Sequence, residues 1–241
     1  MTYILLTGSS RGIGAAAAET LEQRGVEIIG HRSRDTGDDH VAADFSQPLG
    51  AQTLWDEAMD RSGGDIAAVV NNAGLFDANP IERSDIEWLD AWEETLRINL
   101  TAAAQLSRFA VRHWQRRAAG DDGIRGRLVH VASRAAYRGD SPAHWHYAAA
   151  KAGMVAMHKT IARAYADAGI LSFAITPGFV DTAMAGDYLE SRGGPGLLND
   201  IPLGRVAQPD EIARIIAFCA LDAPPSMTGA VIDANGASFV R

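Results

Sequence analysis

Residues 3–14 read YILLTGSSRGIG. An apolar run is cut off by Gly8, and two further glycines, Gly12 and Gly14, open an alanine-rich stretch, GIGAAAAETLEQRG, that stops at Gly25. A short apolar run bounded by glycine reads as a strand, and an alanine-rich run closed by glycine reads as a helix. Glycines set between a first strand and a first helix have separate uses. Gly8 permits the tight turn, Gly12 lets backbone approach a ligand, and Gly14 lets the helix pack close to the sheet. The helix N-terminus then offers N–H groups to a pyrophosphate. The stretch points to a dinucleotide site, with an ordinary strand–helix turn as the plain alternative.

The rest of the chain repeats the same alternation. VEIIG and HVAAD read as strands two and three, and LGAQTLWDEAMDRS as a helix. IAAVVNNAG is a fourth strand running into a loop, and residues 90–118 form a long helical stretch. GRLVHVAS, LSFAITPG and GAVIDANG supply the remaining strands, separated by helices over about 145–168 and in DEIARIIAFCAL. Alternating strands and helices imply βαβ units with right-handed crossovers. The expected fold is α/β: a single-domain, doubly wound parallel sheet of Rossmann type over residues 1–241, with helices on both faces. Residues 116–127 read as a surface turn. The less regular stretch at about 183–205 carries Gly193, Gly194, Pro195 and Gly196 and reads as a substrate loop or lid.

Composition narrows the function classes. The chain has 241 residues, 47% of them hydrophobic, enough for one sizeable core. A net charge of −8 disfavours general binding to nucleic acid or anionic membranes. The only cysteine, Cys219, lies in an apolar helical run and is expected to be a buried thiol. No stretch approaches the roughly 18 apolar residues of a membrane span, and MTYILLTGSS reads as a strand, not a signal peptide. A cytoplasmic protein is the expectation.

Cofactor preference is read at the end of the second strand, IIGHRSR, where an NAD site commonly places a carboxylate. Here Arg32 holds that position, with Ser33 and Arg34 beside it and Arg11 inside the glycine turn. Two guanidinium groups suit a 2′-phosphate, which favours NADP(H), with NAD(H) as the alternative. Asp44, after the third strand, has two readings: acceptor for an adenine amino group, or cap of the turn into FSQP.

YAAAK places Tyr147 and Lys151 four apart across alanines, on one face of a helix. An ammonium beside a phenol favours the phenolate, so the Tyr147 pKa is expected to fall toward neutral. That makes the pair a candidate for proton transfer.

TGSSRGIG, NNAG (71–74), Asn99 in RINL, Ser133 in HVAS, YAAAK and PGFVDT (177–182) occur in the order found in short-chain dehydrogenases/reductases, and the chain resembles that family over nearly its whole length. The resemblance implies a nicotinamide-dependent oxidoreductase acting on a carbonyl or secondary alcohol, with a 3-oxoacyl-thioester reductase as one specific version. Tyr147 matches the catalytic acid/base, and Lys151 the residue that binds the nicotinamide ribose and acidifies the phenol. Ser133 matches the hydroxyl that orients the carbonyl, and Asn99 the residue that holds a relay water. Ser10, Ile13, Asn72, Ala73, Gly74, Asp44 and Phe45 match cofactor-lining positions, and Pro177, Gly178, Val180 and Thr182 match the stretch flanking the nicotinamide. The resemblance also implies a homotetramer, or a homodimer, built on the helices at 90–118 and 145–168 and on the C-terminal strand. One departure stands out: Ser133 precedes Tyr147 by fourteen residues where thirteen is the usual spacing. The extra residue is expected within the loop-like YRGDSPAHWH.

Other side chains invite sharper readings that the sequence does not favour. His144 and His146 are spaced like a metal pair, but no carboxylate or cysteine joins them usefully, so a pocket rim or helix start is preferred and no metal is expected. Arg134 and Arg138 suit an anionic substrate, an acidic carrier protein presenting an acyl chain, or simple surface or interface ion pairs, the last preferred. The competing functional class is a non-catalytic NADP-binding or redox-sensing protein on the same fold. The presence of Ser133, Tyr147, Lys151 and Asn99 together argues against it.

Overall fold

The apolar runs become strands β1 (Tyr3–Leu6), β2 (Glu27–Arg32), β3 (Val41–Ala42), β4 (Ile66–Asn71), β5 (Gly126–Val131), β6 (Ile170–Pro177) and β7 (Val231–Ala234). In the computed structural model, residues 2–34, 39–182 and 198–241 are described. All pairings are parallel, in one sheet ordered β3-β2-β1-β4-β5-β6-β7. The order reverses between β1 and β4, and a doubly wound sheet opens a crevice at the carboxyl ends of its strands at such a switch point. The expected fold class and strand set hold, although the third strand shortens to two residues.

Seven helices are named here: α1 (Gly12–Glu22), α2 (Gly50–Ser62), α3 (Asp85–Leu96), α4 (Ala102–Trp114), α5 (Ala135–Arg138), α6 (Trp145–Tyr165) and α7 (Pro209–Ala217). Successive side chains of a strand point to opposite faces. Ile4 and Leu6 of β1 therefore pack with Leu21 of α1 and Ile212 and Ile216 of α7. Leu5 packs on the other face with Leu54 of α2 and with Leu106 and Trp114 of α4. Trp114 is fully buried and donates its indole N–H to the Ile66 carbonyl at 2.7 Å. A Cβ on Gly126 would lie 2.1 Å from the Trp114 ring, so β5 and α4 meet where only glycine fits. Cys219 is buried in the first of these cores, and burial pushes its thiol up to about 12.

The long helix expected over 90–118 is in fact α3 and α4 joined by a π-helical turn, Arg97–Thr101. It starts earlier because Ser84 and Glu87 form a capping box, with Asp85 and Glu87 in the first turn. It stops at Trp114. The turn expected at 116–127 yields its last two residues to β5. The helix expected over 145–168 ends at Tyr165, and Gly169 (φ +72°) reverses the chain into β6. Among the described residues no helix is long and apolar enough to cross a membrane.

Candidate active site

A cleft of about 700 Å³ lies over the carboxyl ends of the strands. The glycine turn forms its floor. Gly8 and Gly12 have φ of +65° and +56°, the left-handed region that favours glycine. A Cβ on Gly14 would sit 1.9 Å from the Gly8 carbonyl oxygen, and one on Gly12 would press Thr182 at 3.1 Å. Arg11, the residue before α1, gives no side-chain cap, so the first N–H groups of the helix remain for an anion. Asn72 anchors the turn to β4 by donating its amide to the carbonyls of Thr7 and Gly8 at 3.0 and 3.1 Å. The Thr7 hydroxyl accepts the N–H groups of Asn72 and Ala73, both at 2.9 Å. This backbone cradle, where side-chain bulk has no room, fits the pyrophosphate of a nicotinamide dinucleotide.

Arg11, Arg32 and Ser33 line one end of the cleft, together with Ser10, Ile13, Asp44 and Phe45. The Asp44 carboxylate accepts the Ser46 N–H at 2.9 Å, and its bonds to Ser46 hold it below the usual carboxylate range. It caps the turn into FSQP, the second of its two readings, while still bordering the cleft. His31, which the motifs do not mark, is 3% exposed and stacks on Phe45 at 4.2 Å. The available signal was a histidine two residues after Ile29, in phase with the buried positions of β2.

At the other end, β5 delivers Ser133 just past its last residue, and α6 presents Tyr147 and Lys151 one turn apart, all three on the cleft. The Ser133 hydroxyl accepts the Ala135 N–H at 3.1 Å, which fixes it at the start of α5. Lys151 is 3% exposed, donates to the Val131 carbonyl at 2.8 Å, and lies 5.8 Å from the Tyr147 ring centroid. Burial pushes its ammonium down to about 8. The protein's own groups shift the Tyr147 phenol upward, opposite to the fall expected from Lys151. Enclosure pushes the phenol up to about 12, against the pull of a hydrogen bond with Ser133, and Asp140 adds to the rise. Desolvation outweighs a cation that is directed at a backbone carbonyl. At neutral pH the Tyr147 phenol is therefore protonated.

Asn99 sits fully buried in the π-helical turn. Its amide oxygen accepts the Leu75 N–H at 2.7 Å and its amide N–H donates to the Leu75 carbonyl at 2.8 Å. A Cβ on Gly74 would meet Asn99 Oδ1 at 3.0 Å and Lys151 Nζ at 3.6 Å. Asn99 thus holds the cleft wall from behind. Pro177 at the end of β6 and Gly178, Val180 and Thr182 beyond it also line the cleft.

The segment between α5 and α6, residues 139–144, is a loop that begins at Gly139 (φ +76°). Ser133 and Tyr147 stay within hydrogen-bonding reach across it. His144 stacks on Phe76 at 4.1 Å and bonds the Ser141 hydroxyl at 2.6 Å, and Phe76 meets Tyr147 edge-on at 4.6 Å. The two histidines form the helix start and the wall behind Phe76. Among the described residues no group of three or more His, Cys, Asp or Glu side chains is placed to hold a metal ion. Arg134 is not at the surface: it is 8% exposed, lies 4.4 Å over the Phe179 ring and donates to the Ser238 hydroxyl. The expected substrate loop at 183–205 lies outside the described residues from 183 to 197.

This architecture, with its cleft over the switch point, is that of the doubly wound α/β proteins. The sequence model of the family described as enoyl-(acyl carrier protein) reductase matches residues 8–236. The 3-oxoacyl-(acyl-carrier-protein) reductase FabG of Haemophilus influenzae is 32% identical, over 98% of this chain and 97% of its own. FabG of Escherichia coli is 30% identical, over 98% and 96%. Among solved structures, ligand-free aldohexose dehydrogenase (AldT) of Thermoplasma acidophilum matches with a TM-score of 0.86 at 25% identity, over 100% of this chain and 94% of its own. The chain belongs to the short-chain dehydrogenase/reductase family of oxidoreductases.

Proposed function

We propose that the protein is an NADP(H)-dependent oxidoreductase that interconverts a carbonyl and a secondary alcohol, with 3-oxoacyl thioesters as its leading substrate class. The observation that carries this reading is the meeting of Ser133, Tyr147 and Lys151 at one end of a cleft whose other end is the glycine cradle. The nicotinamide, when bound, supplies or accepts the hydride.

In the reducing direction Tyr147 gives its proton to the substrate oxygen, and the Ser133 hydroxyl hydrogen-bonds the same oxygen. A phenol with a pKa near 12 is in the right form to donate at neutral pH. The phenolate it leaves needs compensation, and the Lys151 ammonium one turn away provides it. Asn99 acts as a positioning residue, since its amide is committed to Leu75 on both sides. A relay water on this side chain requires one of those bonds to open. Arg32 and Arg11, with Ser33, are the 2′-phosphate partners.

The thioester preference rests on the named activity of the FabG relatives. The test is NADPH oxidation across 3-oxoacyl thioesters, ketoesters, aldohexoses and quinones. Turnover of the thioesters above the other classes supports the reading. NADPH binding without turnover of any carbonyl would instead favour the non-catalytic sensor. A homotetramer accompanies this reading, with exposed Ile86, Leu89 and Trp145 near one face and edge strand β7 at another. Light scattering in solution measures it, and a monomer at micromolar concentration removes it.

A further inference from the structure

His31 immediately precedes Arg32 at the end of β2. We propose that His31 is a positioning residue for the adenosine half of the dinucleotide, tying the glycine turn to the end of β3 in the shape that half of the cleft requires. The inference rests on the nicotinamide-dinucleotide reading above.

Three chain segments converge on this one side chain. The Gly8 N–H donates to His31 Nδ1 at 3.1 Å, and His31 Nε2 lies 2.8 Å from the Ala43 carbonyl. Those two partners fix the ring: Nδ1 must accept and Nε2 must donate, so the imidazole is neutral with its proton on Nε2. A proton on Nδ1 would face the Gly8 N–H. The backbone is clamped as well, since the His31 N–H donates to Ser9 Oγ at 2.9 Å and the Ser9 N–H donates to the His31 carbonyl at 3.0 Å. Phe45 backs the ring at an interplanar angle of 12°. Burial pushes the imidazole down to about 4, in keeping with a neutral bracket, and neighbouring His40 acts in the same direction.

The arrangement divides labour within the cradle. The Gly8 N–H is directed to the imidazole, which leaves the N–H groups at the start of α1 as the anion-binding set. It also fixes the base of the strand end that carries Arg32 and Ser33. Without the ring, the Gly8 N–H and the Ala43 carbonyl lose their partner in this geometry, and the turn relaxes toward water. Binding must then reorder it, so the penalty falls on cofactor affinity and not on the saturated enzyme.

The test compares His31→Leu and His31→Gln with the parent by calorimetric titration of NADPH and of 2′,5′-ADP, and by steady-state kinetics. The leucine variant is expected to bind both ligands about tenfold more weakly or worse. Its KM for NADPH should rise, with kcat at saturating cofactor within about twofold of the parent. The glutamine amide offers an oxygen to Gly8 and an N–H to Ala43, so this variant should recover most of the affinity. Long-range nitrogen NMR of the ligand-free parent should show residue 31 protonated on Nε2. Leucine binding both ligands like the parent, glutamine no better than leucine, loss of kcat at unchanged KM, or an Nδ1-protonated ring would each overturn the proposal. Should the leucine variant fail to fold, the glutamine titration and the NMR tautomer decide. A parent that binds neither NADPH nor NADH overturns the dinucleotide reading itself, and this proposal with it.

Discussion

The two ends of the cleft are built on opposite principles. At the glycine end the backbone sets the shape, and each key position is defined by what cannot fit: a Cβ 1.9 Å from a carbonyl at Gly14, left-handed φ at Gly8 and Gly12. At the other end two ionisable side chains lie one helical turn apart and are driven apart in acidity, the phenol up to about 12 and the ammonium down to about 8. The first end is steric and tolerates almost nothing. The second is electrostatic, and its output can be graded by changing one group.

The largest effect expected from breaking this contrast is at the electrostatic end. Tyr147→Phe keeps the ring against Phe76 but removes the proton, and kcat should fall by about 10³-fold, within the range for losing a general acid. NADPH binding, followed by titration, should stay near the parental value, and turnover at the parental rate would remove Tyr147 from the reaction. Gly14→Ala probes the steric end. Relieving the clash must shift α1 or the turn, at roughly 1–3 kcal/mol or more for overpacking. Cofactor affinity should fall by ten- to a hundredfold on that scale, and Tm should drop with it. Arg32→Asp sharpens the same end without touching its backbone. The ratio of NADPH to NADH affinity should move toward NADH by about tenfold or more, the worth of one charge-assisted contact. An unchanged ratio would take Arg32 out of 2′-phosphate recognition.

The smallest effect lies beneath the electrostatic end. His130 and His158 are buried, their rings 5.9 Å apart, and burial lowers them to about 3 and about 4 from 6.5. Below pH 6.5 the unfolded chain binds protons that the folded protein refuses, so stability is lost as pH falls from 6.5 toward 4 and is flat above about 7 in this respect. Tm should be several degrees lower at pH 5 than at pH 7, and His158→Gln should narrow that gap. An equal gap in the variant would assign the acid sensitivity to other groups.

Local spacing carried the glycine turn, the helical pairing of Tyr147 with Lys151 and the run of seven strands, because each depends on neighbours a few residues apart. What the spacing could not carry was set by distant partners. The direction of the Tyr147 shift depends on how completely the surrounding cleft desolvates the phenol, and on Lys151 engaging Val131, twenty residues away. His31 acquires its significance only when Gly8 and Ala43 arrive from two other segments. The early start of the α3 helix was written locally, in Ser84 and Glu87, but an exposed capping box preceding a weak apolar pattern is easily passed over. Asp44 was legible as two options, and the turn bond is present while the residue still borders the cleft.

The bond from Lys151 to the Val131 carbonyl has one more consequence. Val131 ends the strand whose extension carries Ser133, so the lysine works as a spacer between helix and strand as well as a source of charge. Replacing it with methionine, which has neither charge nor donor, would remove the field and the Val131 bond at once. Any rate deficit of such a variant would therefore mix a lost field with a drifted hydroxyl.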